Sequence, residues 1–238
     1  NVAAFECLEF GVASCGSTIV PAPWFFETAA ICRNHPQYDV GVELALTCEY
    51  ERYRWRAVST ADAETGLLDE QGCLWKTREA AIENVRPEAA EVELRRQLEM
   101  AFDNGIDVTH LATHMGAARD EKFLPICRKL AREFRVPLMD RDMYDNVMSD
   151  MNLGRHEPYD PLAYTDYLAN IEPGLTYVVF HPAKMSAELE AFCGTAKWRN
   201  QSYEAFTHPR IKELLNEMDV KIIGYREIRD AMRDNGEL

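Results

Sequence analysis

The segment THLATHMG, residues 109–116, carries two histidines four positions apart. On a helix that spacing would set both imidazoles on one metal ion. The surrounding VTHLATH (108–114) reads instead as a strand. Side chains alternate along a strand, so His110, Ala112 and His114 share one face, and Leu111, Thr113 and Met115 the other. At ~3.3 Å per residue the two rings lie ~13 Å apart, too far for one ion. His114, at the C-terminal end of the strand, is the candidate ligand. His110 lies deeper, as a packed residue supporting it. The alternative is two ordinary hydrogen-bonded histidines.

Two further residues fit the same chemistry. In DVGVELALT (39–47) the strand is apolar on both faces apart from Glu43. A buried carboxylate is costly unless it is paired or bound to metal. Glu43 is therefore a metal ligand or general base, or else the partner of a buried lysine or arginine. His181 ends LTYVVFH (175–181) just before a proline, where it is a candidate acid or base; the alternative is a histidine that anchors the loop. Trp198 and Arg199, with Trp55 and Trp75, fall in loop-like segments. Trp198 and Arg199 suit stacking on and hydrogen-bonding to a sugar, and local packing is the alternative for each. His35, His156 and His208 lie in polar connections and read as surface residues. Glu43, His114 and His181 are expected to converge at one rim, where a mixed carboxylate–imidazole set suits a divalent metal and metal-assisted hydrolysis.

These residues need elements to position them. Residues 2–10 read as a helix ended by Gly11, 12–20 as a strand closed by Pro21 and Pro23, and 24–35 as a helix. After the strand at 39–47, a polar stretch to about 76 reads as an elaborated loop or small hairpin. Thr77 can cap a helix over 77–85. Pro87 opens the next helix and Gly105 suits its C-terminal end, with Leu94, Leu98, Ala101 and Phe102 as its apolar stripe. A helix over 120–135 follows, then a short strand at 136–140. Helices are expected near 141–150 and 161–171, with a loop at Gly154. The strand at 175–181, a mixed region at 184–207, a helix marked by Ile211, Leu214, Leu215 and Met218, a strand at 220–225 and a helix at 226–233 complete the pattern. Alternating strands and helices with nearly continuous apolar strands predict a buried parallel sheet. No glycine-rich phosphate motif follows a strand, which favours a (β/α) barrel over a nucleotide-binding fold. A barrel should open on a strand; this chain opens on a helix, so a first strand is expected to be absent.

Composition sets the limits. The chain has 238 residues, 47% of them hydrophobic, enough for a sizeable core in a single domain. Its formal net charge of −14 disfavours nucleic acid and anionic membrane surfaces. Seven cysteines without C-x-x-C spacing imply neither a disulfide framework nor a cysteine zinc site, and a cytoplasmic location is expected.

Several segments together resemble the YdjC-like (ChbG/HpnK-type) carbohydrate deacetylases. THLATHMG resembles their T-H-L-D-[ST]-H segment, and DVGVELALT their G-x-H-L-x-L-T strand. VVFHPA (178–183), WRNQSYEAF (198–206) and the closing IIGYREI match as well, in the expected order. The resemblance implies one YdjC-like domain over residues 1–238: an α/β, TIM-barrel-related (β/α) barrel of seven strands whose first strand, N-A-D-D-F-G in the family, is not in this chain. It implies removal of acetyl groups from N-acetylated sugars, with magnesium or zinc held in part by His114 and at the position of Glu43. His181 would serve as an acid, and the partner would be a saccharide; a homodimer is left open. Glu43 stands where the family has histidine, and Ala112 where it has aspartate. The alternative is a non-catalytic relative that binds saccharide or a regulatory partner.

Overall fold

Helix ends follow the capping residues read from the sequence. In the computed structural model, which describes residues 1–150 and 162–238, helix α1 (Val2–Phe10) stops at Gly11 in the left-handed conformation, φ 83°. Strand β1 (Gly16–Thr18), helix α2 (Phe25–Asn34) and strand β2 (Val40–Leu44) follow. Helix α3 (Arg78–Asn84) is capped by Thr77, whose hydroxyl accepts from the Ala80 amide at 3.2 Å. Helix α4 (Pro87–Asp103) starts on its proline, as expected. Then come β3 (Val108–Thr113), α5 (Leu124–Phe134), β4 (Asn146–Ser149), α6 (Ala163–Leu168), β5 (Thr176–Val179), α7 (Ala187–Phe192), α8 (Ala196–Phe206), α9 (Pro209–Glu217) and α10 (Tyr225–Asp234).

The chain divides into two compact units. One comprises Cys15–Met139 and Gly224–Leu238. Its sheet has the order β1-β2-β3, all parallel, and Leu111 adds a further parallel bridge to Leu138. Residues 40–42 and 108–111 are buried at every successive position, so this sheet is covered on both faces. Helix α4 packs on β2 through Leu94, Leu98 and Ala101, all fully buried, and Phe102 stacks on Phe134 of α5. The other unit comprises Asn1–Ser14 and Asp140–Ile223, with the parallel pair β4-β5. Its core gathers Cys7, Tyr164, Leu168, Phe206, Ile211 and Leu215 from α1, α6, α8 and α9.

Three expectations change. Residues 141–150 form a short 3-10 turn and then β4 rather than a helix. Pairing with β5 decides this, because the Asp145 and Asn146 amides both donate to the Leu175 carbonyl. No strand forms at 220–225: Val220 instead donates to the Leu215 carbonyl, closing α9, and Ile222 is 40% exposed. Strand propensity without a neighbouring edge makes no ladder. Residues 136–140 contribute only the Leu111–Leu138 bridge. Gly154 lies outside the described residues.

Two polar residues on the buried face of α4 set the end of β2. The Gln97 side chain accepts from the Ala45 amide at 3.0 Å and donates to the Ala45 carbonyl at 2.8 Å. It also donates to Glu93, whose carboxylate accepts from the backbone amides of Val58 and Ser59. Both side chains are fully buried.

The β2–β3 register slips between Val40 and Val42, so that Thr109 and His110 together lie opposite Gly41. A side chain has no room there. A Cβ on Gly41 would lie 2.4 Å from the His110 carbonyl oxygen and 2.6 Å from its ring. Gly41→Ala is expected to destabilise the protein by about 1–3 kcal/mol, read as a lower urea midpoint with unchanged slope.

Candidate active site

Glu43 pairs with Ala112 across the β2–β3 ladder, and Leu44 with Thr113. Glu43 and His114 therefore emerge at the same C-terminal end of the sheet, where parallel sheets place their ligands. β3 ends at Thr113, and His114 opens a 3-10 turn in which Met115 (φ 50°) and Gly116 (φ 68°) are both left-handed. The strict alternation expected over 108–114 thus fails at both ends, through the register slip and this turn. The separation of the two histidines into different environments holds.

His114 is 8% exposed and lies between two carboxylates. Its Nε2 is 2.9 Å from Glu49 Oε2, and its Nδ1 is 3.5 Å from Glu43 Oε1. Burial pushes the imidazole pKa down; Glu43 and Glu49 outweigh that and raise it to about 9. Trp55 lies alongside, ring centre 5.9 Å away, held by an indole N–H donated to the Thr47 carbonyl. Tyr50 and Tyr53 meet Trp55 edge-on. Glu49, in the loop after β2, carries no periodic signal and was not singled out in the sequence. Trp55 and Trp75 are held by local packing: the Trp75 indole donates to the Gly66 carbonyl.

The donor chemistry fits a divalent ion in part. Two atoms each ~2.1 Å from one ion lie about 3.0–3.4 Å apart at octahedral or tetrahedral angles, close to the 3.5 Å between Glu43 Oε1 and His114 Nδ1. Glu49 on the other ring nitrogen is the outer carboxylate that commonly orients a metal-binding histidine. Among the described residues no group of three His, Cys, Asp or Glu is placed to hold an ion, so Glu43 and His114 make a two-donor share of a set.

His110 sits within the same unit in a different environment. It is 1% exposed and stacks on Tyr225 at 4.2 Å. The Thr109 hydroxyl donates to Asp39, so its oxygen is free to accept from His110 Nδ1 at 2.9 Å. Nε2 then accepts from the Ser17 hydroxyl at 2.9 Å. Both nitrogens are satisfied by a neutral ring, and burial lowers its pKa to about 3.

In the other unit His181 follows β5. Its Nδ1 lies 3.0 Å from Asp150 Oδ1, and its ring centre is 5.4 Å from that of Trp198. Arg199 lies over the Trp198 ring at 5.7 Å and donates to Thr195. Trp198 and Arg199, expected in a loop, lie on α8. Asp150 was missed because its segment read as a helix. His35 is exposed; His208 caps α9, accepting from the Arg210 amide; His156 lies outside the described residues. All seven cysteines are free thiols; burial raises those of Cys7 and Cys127 to about 12 and that of Cys32 to about 11, so all three stay protonated near neutral pH.

The fold, helices on parallel strands, is shared with a solved structure from Enterococcus faecalis described as a cellobiose-phosphate cleavage protein. The two agree with a TM-score of 0.80 at 20% identity, over 95% of this chain and 92% of the other. The chain belongs to the family described as YdjC-like protein, whose model matches residues 1–217. It is 24% identical to a carbohydrate deacetylase of Brevibacillus brevis over 96% of this chain and 93% of that relative. With a carbohydrate deacetylase of Thermus thermophilus it shares 27% identity, over 91% and 85%. No helix among the described residues is long and apolar enough to cross a membrane.

The His110 pocket has a direct consequence for acid stability. A folded pKa of about 3 lies below the ordinary 6.5, so unfolding takes up a proton between those values. The contribution is full above pH 6.5 and is lost as pH falls toward 3. The slope reaches about 1.4 kcal/mol per pH unit. Urea unfolding of the protein and its His110→Asn variant from pH 7 to 4 should show a pH dependence shallower by that amount in the variant.

Proposed function

We propose that the chain is a carbohydrate deacetylase that hydrolyses the acetamide of an N-acetylated sugar or oligosaccharide to acetate and a free amine. The observation that carries this reading is the Glu43–His114 pair, set at ligand spacing at the C-terminal end of a parallel sheet and braced by Glu49, in a member of this family. Its relatives' deacetylase names support the reaction class. The fold belonging to this reading is one (β/α) barrel-like domain over residues 1–238, acting in the cytoplasm.

Glu43 and His114 would hold a divalent ion, magnesium or zinc. When bound, such an ion polarises a carbonyl and makes water a nucleophile at neutral pH. Glu49 keeps the His114 ring in one orientation through Nε2, leaving Nδ1 facing Glu43. His110, neutral and enclosed, exchanges no proton in the reaction; it fixes β3 behind the ligand. His181 gives a proton to the departing amine nitrogen. Trp198 and Arg199 bind the sugar, the indole offering a ring face and the guanidinium its donors.

Acetate release from N-acetylated chitooligosaccharides, measured with magnesium and with zinc, tests the reaction, and calorimetry tests the ion. Glu43→Gln and His114→Ala are each expected to abolish uptake and reduce turnover at least about 100-fold, with the thermal midpoint retained in Glu43→Gln and lowered in His114→Ala, which leaves Glu43 and Glu49 facing each other uncompensated. Glu49→Gln should weaken the ion 10–100-fold. A wild-type protein that takes up neither ion and releases no acetate would turn the reading to a saccharide-binding relative without catalysis.

A further inference from the structure

The surroundings of His181 are more ordered than a loop histidine requires. Asp150 follows the end of β4, and its side chain is fully buried. Every donor that reaches it comes from a defined direction. Oδ1 accepts from His181 Nδ1 at 3.0 Å; Oδ2 accepts from the His181 backbone amide at 2.7 Å and from the Ser202 hydroxyl at 2.8 Å. The Ser202 oxygen is 3.1 Å from the Tyr164 hydroxyl, and the Trp198 indole donates to the Asp150 carbonyl at 3.2 Å. The segment after β5 and helix α8 thus hold the carboxylate, and Tyr164 of α6 backs Ser202. Ser202 is fully buried and bonds Asp150 rather than the imidazole, so it braces the carboxylate and is no nucleophile.

A carboxylate only accepts, so Nδ1 of His181 carries the proton that it donates. The lone pair of the neutral ring is then on Nε2. The side chain remains 34% exposed while Nδ1 is committed inward, which leaves Nε2 as the nitrogen that meets a ligand. We propose that Asp150 is the positioning residue for proton transfer: it fixes His181 in the Nδ1–H tautomer and dedicates Nε2 to the leaving amine. This rests on the deacetylase reading. As the C–N bond breaks, its electron pair stays on the amine nitrogen, which takes the second proton of the ring, the one Nε2 carries when His181 enters the step as imidazolium. The acetyl carbon leaves as acetate with the oxygen of water. The imidazole returns to neutral with its Nδ1 proton still hydrogen-bonded to Asp150, ready to be reprotonated at Nε2.

The test reads the tautomer and the turnover separately. Long-range proton–nitrogen NMR of histidine-labelled protein reads the tautomer, and the His181 signal is the one lost in His181→Gln. The Nδ1–H form is expected in the wild type, and the Nε2–H form in Asp150→Asn. That variant should lose about 10²–10⁴-fold in kcat with KM within a few-fold, since a ring whose Nδ1 accepts a hydrogen bond cannot become the imidazolium that gives up the Nε2 proton, while the sugar contacts are untouched. A wild-type His181 in the Nε2–H form overturns the inference, and so does an Asp150→Asn variant of unchanged kcat. Where that variant does not fold, the wild-type tautomer decides. Absence of acetate release from the wild type sinks the deacetylase reading instead, whatever the tautomer.

Discussion

The backbone of Ala45 has to be satisfied at the point where β2 leaves its ladder, and one side chain does it. Gln97 presents an amide to that residue's N–H and C=O as a neighbouring strand would. A buried peptide group without partners costs about 1–3 kcal/mol, so this contact fixes where the strand ends. Glu93 extends it by holding Gln97 and the amides of residues 58 and 59. The segment between the two anchors carries Glu49 and Trp55, both beside His114. Helix α4 thereby places the two residues that flank His114.

Three histidines in this chain show how neighbours assign a role to one side chain. His110 meets two hydroxyls and an aromatic face, which suit a neutral ring. His114 meets a carboxylate at each nitrogen, which suits a cation. His181 meets one carboxylate at one nitrogen and solvent elsewhere, which suits proton exchange. None of these differences lies in the residue itself. Apart from Thr109 beside His110, the groups are distant in sequence, with 93 residues separating Ser17 from His110 and 65 separating Glu49 from His114.

That distance explains what the sequence could and could not tell. The helices from α1 to α5 were legible because caps, prolines and apolar stripes are local signals. Glu43 was legible because a lone carboxylate in an apolar strand is anomalous, and strand spacing alone was enough to deny one ion both His110 and His114. Glu49 and Asp150 were not legible, since one lies in a loop without period and the other at the end of a strand formed by pairing with β5. Glu93 and Gln97 left a signal that went unused: two polar residues four apart beside the Leu94–Leu98 stripe. The strand expected at 220–225 failed for the converse reason, a local preference with no partner edge.

The unit built on β1-β2-β3 is completed by the last helix. Tyr225 stacks on His110, the Arg226 amide donates to Asp39, and Arg229 reaches Asp107 and the Val108 carbonyl. Residues 140–223, which intervene, belong to the other unit. At about 5–20 residues per second, a ribosome needs on the order of ten seconds to deliver that stretch. During that interval the sheet exists without the ring that covers His110 and without a counter-charge from Arg229 for Asp107. The nascent chain must therefore carry an open, half-assembled face through about a third of its own synthesis, until the C-terminal helix arrives to cover it.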